Sequence, residues 1–158
     1  IITSLFAPFY QTIYPHVVNI IKKPKNEANN FLKKVFKYSL GISIIVFLLS
    51  ILLGEFSLLL VFGEEAKNSI NIFYILSPLI IILPMAYLFF NVILLSFKLD
   101  KYFSKLYIIG GITNLSMIFI LFQFLEKKII AVSLSLLITE LLIMLLAYIL
   151  IKNKGLMD

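Results

Sequence analysis

One carboxylate, Glu140, stands at the midpoint of an unbroken apolar run from Ile129 to Ile151, IIAVSLSLLITELLIMLLAYILI. As a helix, a run of this length spans roughly 35 Å, enough to cross a hydrocarbon core of about 30 Å. Glu140 lies 11 residues from either end, so roughly 16 Å of helix separates it from each interface, beyond the reach of its side chain. An acid at that depth costs on the order of 2.5–3.5 kcal/mol, while each surrounding Ile, Leu or Val returns roughly 0.3–0.6 kcal/mol. The 15 such residues in the run therefore carry the segment into a membrane, but the local penalty on Glu140 remains. A polar partner, a wet cavity or protonation each lowers it. Two kinds of chemistry fit: contact with a proton, cation or substrate in a transport path, or a protonated acid hydrogen-bonded to a neighbouring helix as glue.

Three amides stand in comparable apolar settings. Gly110, Thr113 and Asn114 stand at i, i+3 and i+4, a pattern in which a small residue admits close helix approach while Thr and Asn hydrogen-bond across the contact; packing glue and substrate contact are both open to Asn114. Asn91 recurs with Ser77 and Pro84 every seven residues and so shares a face with them. Gln11 shares a helical face with Ser4, Pro8 and Pro15, and a face of that kind is expected to look into a bundle. Together Glu140, Asn114, Asn91 and Gln11 are the candidate substrate or coupling-ion path. His16, beside Pro15, is an isolated imidazole that reads as an interfacial residue or a functional group.

Other chemistries are poorly provided for. The absence of cysteine excludes disulfides, thiolate catalysis and Cys-ligated metal, and a single histidine leaves no His cluster. His16 and Asp100 alone do not make the constellation that a membrane-embedded transferase would need. We therefore expect no catalytic residues, no metal, no cofactor and no enzyme activity. The net charge of +6 comes entirely from lysine; in an apolar chain lysines gather in cytoplasmic loops, so it is no argument for nucleic acid.

The elements that must position these side chains follow from composition. With 61% hydrophobic residues and 14% charged, no soluble domain of this length could hide its apolar surface. The runs are long and continuous rather than alternating with period two, which predicts helices rather than barrel strands. The expected fold is all-α, a polytopic transmembrane helical bundle of about five membrane segments: 1–21, 38–54 with an interfacial stretch 56–62, 70–97, 106–125 and 129–151. Residues 30–37 are expected to form a short surface helix or a solvated loop. Residues 70–97 would reach roughly 42 Å if straight, so kinks are expected, with Pro78 and Pro84 as hinges because each removes a helix hydrogen bond. That helix is either cavity-lining and bending, or statically kinked for packing.

Lysine distribution predicts orientation. Lys22–Lys37, Lys98–Lys105 and the tail from Lys152 hold 11 lysines against 3 in Gly63–Ser69 and Glu126–Lys128, so the first set, with the C-terminus, is expected on the cytoplasmic side.

Several short motifs recur in a familiar order. Tyr14-Pro15 precedes a Lys-rich loop; Val61-Phe62-Gly63-Glu64-Glu65 forms a turn; a long helix ends in Asn91 and Leu94; a Lys98–Lys105 loop is followed by Asn114; and Thr139-Glu140 lies in the last helix. In these features the chain resembles the C-terminal half of the polysaccharide and O-antigen flippases, the polysaccharide transporters of the multidrug/oligosaccharidyl-lipid/polysaccharide superfamily. The resemblance implies two helical bundles that rock to alternate access and move an undecaprenyl-diphosphate-linked oligosaccharide across the bacterial inner membrane for surface polysaccharide synthesis. It implies as partners the lipid bilayer, a lipid-linked glycan and an N-terminal bundle of the same chain, this sequence reading as a fragment of one lobe. Two features depart from the family: Lys127-Lys128-Ile129-Ile130-Ala131 replaces a Gly-Ala-rich step, and no Lys or Arg lies inside a span, leaving cations for the diphosphate to the other bundle. The alternatives are a drug/cation antiporter of the same superfamily and a non-catalytic membrane scaffold.

Overall fold

The computed structural model describes residues 2–156, with the side chains of residues 2–5, 7 and 68 outside that description; Ser4 of the expected polar face is among them. Helix accounts for 90% of it and no strand forms among the described residues, so the fold is all-α. The helices are α1 (Ile2–Ile20), α2 (Lys25–Phe62), α3 (Lys67–Leu76), α4 (Leu79–Tyr87), α5 (Asp100–Phe124) and α6 (Lys128–Asn153), with a 3-10 turn at Gly63–Ala66 and a π-helical segment at Leu88–Leu94.

Three helical stretches are long and apolar enough to cross a membrane: Lys25–Ala66, Asp100–Phe124 and Lys128–Asn153, with the bent pair Ser69–Leu76 and Leu79–Leu94 as a fourth if it counts as one span. These helices are compatible with a multi-pass membrane protein. Their outward faces carry large exposed apolar side chains, including Ile108, Ile112, Leu115 and Phe119 along α5 and Leu52, Phe56 and Leu60 along α2, stripes that water would leave unburied and hydrocarbon would not.

The expected division of residues 22–62 into loop, span and interfacial stretch is replaced by one continuous helix. No proline follows Pro24 until Pro78, so nothing interrupts α2, whose 38 residues reach about 57 Å. It stops at Gly63, whose φ of 67° is costly for a residue bearing a Cβ. Likewise α5 begins at Asp100 rather than at residue 106, and most of the supposed Lys98–Lys105 loop is its first turns.

The helix expected at 70–97 is interrupted twice, once by a cause visible in its residues. Pro78 lacks the N–H that would reach the Tyr74 carbonyl, and the Ser77 hydroxyl donates to that carbonyl instead at 2.9 Å. There the chain bends by 41°. Pro84, by contrast, lies inside α4, fully buried, and the π-helical turn begins four residues beyond it.

Packing runs along α4 and its π-helical continuation, the most buried stretch of the chain, where Leu88, Phe89, Phe90, Val92, Ile93 and Leu94 are each 2% exposed or less. The long helix α2 runs antiparallel to it: Gly54 meets the Phe73 ring and Phe36 stacks on Phe89. A Cβ on Gly54 would overlap the Phe73 ring, which would have to move aside. Helices α5 and α6 pair as an antiparallel hairpin, Gly110 against Ile143 and Asn114 against Ser135. At one end of the bundle the turn after α1, the turn at Phe97 and the end of α6 surround a cavity of about 260 Å³ into which Lys23, Lys25 and Lys154 project. Three Lys-rich segments thus meet at one pole.

Candidate functional site

The four expected path residues separate into two places. Asn114 lies in the α5–α6 seam, where its Nδ2 donates to Ser135 Oγ at 3.2 Å and to Thr139 Oγ1 at 3.5 Å, while Ser135 Oγ donates back to the Asn114 carbonyl at 2.9 Å. Its side-chain donors are directed into the seam, and among the described residues it makes no hydrogen bond to Glu140. Asn91, Glu140 and Gln11 lie elsewhere, around the π-helical segment.

Glu140 sits half-buried at the edge of the inward face of α6, whose buried line runs through Ser135, Thr139, Ile143 and Ala147. Among the described residues it makes no hydrogen bond or ion pair; it lines a cavity of about 130 Å³ together with Asn91, Tyr87, Phe90 and Tyr107. Tyr107, from α5, thus meets Asn91 and Glu140 across this one space. At roughly 30 Å³ per water, this space holds a few waters or one small ion and no larger ligand.

Asn91 and Tyr87 also face the other way. With Tyr10, Gln11 and Tyr14 of α1 they line a second hollow of about 280 Å³. Tyr87 and Asn91 are four residues apart across the start of the π-helical segment, where the wider turn of about 4.4 residues brings such a pair close to one line. Two side chains thereby serve as a shared wall between the two spaces. The wall is braced from α1: the Tyr10 hydroxyl donates to the Pro84 carbonyl at 2.8 Å, and the Tyr10 ring stacks on Tyr87 at 5.1 Å. Pro84 therefore serves as an anchoring acceptor beneath the wall.

Gln11, Pro8, Thr12 and Pro15 form an exposed face of α1, as does His16. That face was expected inside a bundle; here the apolar side of α1, with Phe6, Tyr10 and Val17, is the buried one, because burying apolar rings is favourable while unpartnered amides are costly to bury.

The sequence reading passed over four tyrosines, Tyr10, Tyr14, Tyr87 and Tyr107, that supply most of the site's hydroxyls. One signal was available: Tyr87 and Asn91 stand at i and i+4. Among the described residues no three His, Cys, Asp or Glu side chains converge as metal ligands would. Comparisons with protein-family models, with curated proteins and with solved structures find no match.

Proposed function

We propose that the chain is a transmembrane lobe of a secondary transporter that flips an undecaprenyl-diphosphate-linked oligosaccharide across the bacterial inner membrane, with its C-terminus on the cytoplasmic side. The observation that carries a transport reading is Glu140: in the middle of an apolar helix it lines a cavity beside Asn91 and Tyr107 instead of hydrogen-bonding to a neighbouring helix. Glue would be satisfied by its neighbours; an intramembrane acid facing an open space is the arrangement expected of an ion or substrate contact. The π-helical turn and the break at Pro78 supply backbone that can rearrange, since such irregularities gather where helices move or bind.

In this reading about five segments cross the membrane, α1 included, and the exposed amide-bearing face of α1 meets a second bundle. Glu140 takes a coupling cation or proton in the small cavity. No lysine lines either space at the π-helical segment, so the diphosphate is met by cations outside them. A drug/cation antiporter is the second reading, favoured by the size of the Glu140 cavity, which suits a small ion.

The test is glycan export by the complete protein in cells that depend on it. Glu140→Gln preserves size and most hydrogen bonding, and should cut export on the order of tenfold while membrane abundance stays unchanged. Full export by this variant across pH would return Glu140 to the role of glue, and unchanged surface glycan after deletion of the whole protein would end the flippase reading.

A further inference from the structure

The hollow between α1 and the π-helical segment differs from its neighbour in size and in chemistry. It is lined by Gln11, Tyr14, Tyr87 and Asn91 over a floor of Tyr10, and no charged side chain enters it. An amide offers donors and an acceptor on one plane, which matches adjacent hydroxyls on a ring. Tyrosine faces present an apolar surface with a polar edge, which matches the C–H faces of the same ring. Gln11 makes no side-chain hydrogen bond among the described residues, and it is exposed at the mouth. Tyr87 is held in place from behind, one face covered by Tyr10, which is itself 1% exposed and tied to the Pro84 carbonyl. Tyr87 therefore needs little ordering when a ligand arrives, which lowers its share of the entropic cost of binding.

We propose that this hollow is a subsite for one neutral pyranose ring. The proposal rests on the transport reading and narrows it: the site grips an uncharged sugar of the lipid-linked glycan, not its diphosphate. Size argues for a single ring, since about 280 Å³ lies at the lower edge of the roughly 300–1,000 Å³ typical of ligand pockets. Charge argues for a neutral one, because an acidic sugar or a phosphate would lose its hydration here without gaining a cation. A quaternary ammonium would suit the tyrosine faces but would leave both amides unpaired.

Saturation-transfer NMR on the intact protein in lipid nanodiscs tests this, with methyl β-glucopyranoside, N-acetylglucosamine, glucuronate and tetraethylammonium as probes. The neutral sugars should receive saturation, glucuronate and tetraethylammonium much less. Gln11→Leu and Tyr14→Ala should each reduce the neutral-sugar signal roughly threefold or more, while Tyr14→Phe, which keeps the ring, and Tyr38→Ala, on an exposed part of α2, should not. The proposal is overturned if neutral sugars saturate no more than in empty nanodiscs, if the Gln11 and Tyr14 variants match the parent, or if tetraethylammonium is the strongest ligand. Failure of the two readings is distinguishable: glycan export without sugar saturation removes the subsite and leaves the transporter, whereas saturation without export supports the subsite and removes the flippase.

Discussion

Two asparagines, Asn114 and Asn91, sit on apolar helices and meet different fates. Asn114 joins two regular helices, and its partners Ser135 and Thr139 satisfy its side chain across a contact that Gly110 keeps close. Asn91 stands in a π-helical turn between two open spaces, where tyrosines line the walls beside it. The contrast teaches that residue type and hydrophobic setting do not decide whether a polar side chain on an apolar helix finds a partner; the regularity and packing of the backbone around it do. A seam made of straight helices consumes its polar groups, while an interrupted helix leaves them facing space.

The bend at Pro78 offers a perturbation of the backbone of the irregular half. Pro78→Ala restores the N–H that can reach the Tyr74 carbonyl, in competition with the Ser77 hydroxyl. We expect the 41° bend to relax and export to fall severalfold while the protein still accumulates, read by spin-label distances between Asn71 and Lys98 alongside transport. An unchanged distance distribution would mean that packing against α2, through Phe73 and Gly54, holds the bend instead. A smaller change probes the brace beneath the site. Tyr10→Phe keeps the ring stacked on Tyr87 but removes the hydroxyl donated to Pro84, costing about 0.5–1.5 kcal/mol in thermal unfolding of the detergent-solubilised protein. A variant as stable as the parent would show that the stack alone braces the wall.

How far the sequence disclosed this molecule follows the same division. The α5–α6 seam was legible from Gly110, Thr113 and Asn114, because regular helices preserve the periodicity from which faces are inferred. The class of fold followed from long apolar runs. The extent of α2 was misread because lysines at residues 33, 34 and 37 looked like a boundary, whereas a helix can pass from polar to apolar surroundings without a break when no proline or left-handed residue intervenes. The π-helical turn left no mark, since Leu88–Leu94 is an ordinary apolar run. The i, i+4 spacing of Tyr87 and Asn91 was legible, whereas their convergence with Tyr107 and Glu140 from two other helices depends on which helices pack together, which periodicity does not give. Glu140 was identifiable by its depth, whereas the seam that takes up Asn114 depends on Ser135 and Thr139 of the facing helix.

The comparison stands or falls on Asn91→Leu and Asn114→Leu, each assayed in the complete protein for glycan export per molecule and for thermal unfolding. The account predicts opposite signatures. Asn91→Leu should lose export on the order of tenfold with its unfolding temperature close to the parent's. Asn114→Leu should lose about 0.6–2 kcal/mol of stability, the range found for interhelical polar contacts in apolar surroundings, with export per folded molecule near normal. Export retained in Asn91→Leu and lost in a well-folded Asn114→Leu would contradict the assignment of the transport site to the π-helical segment.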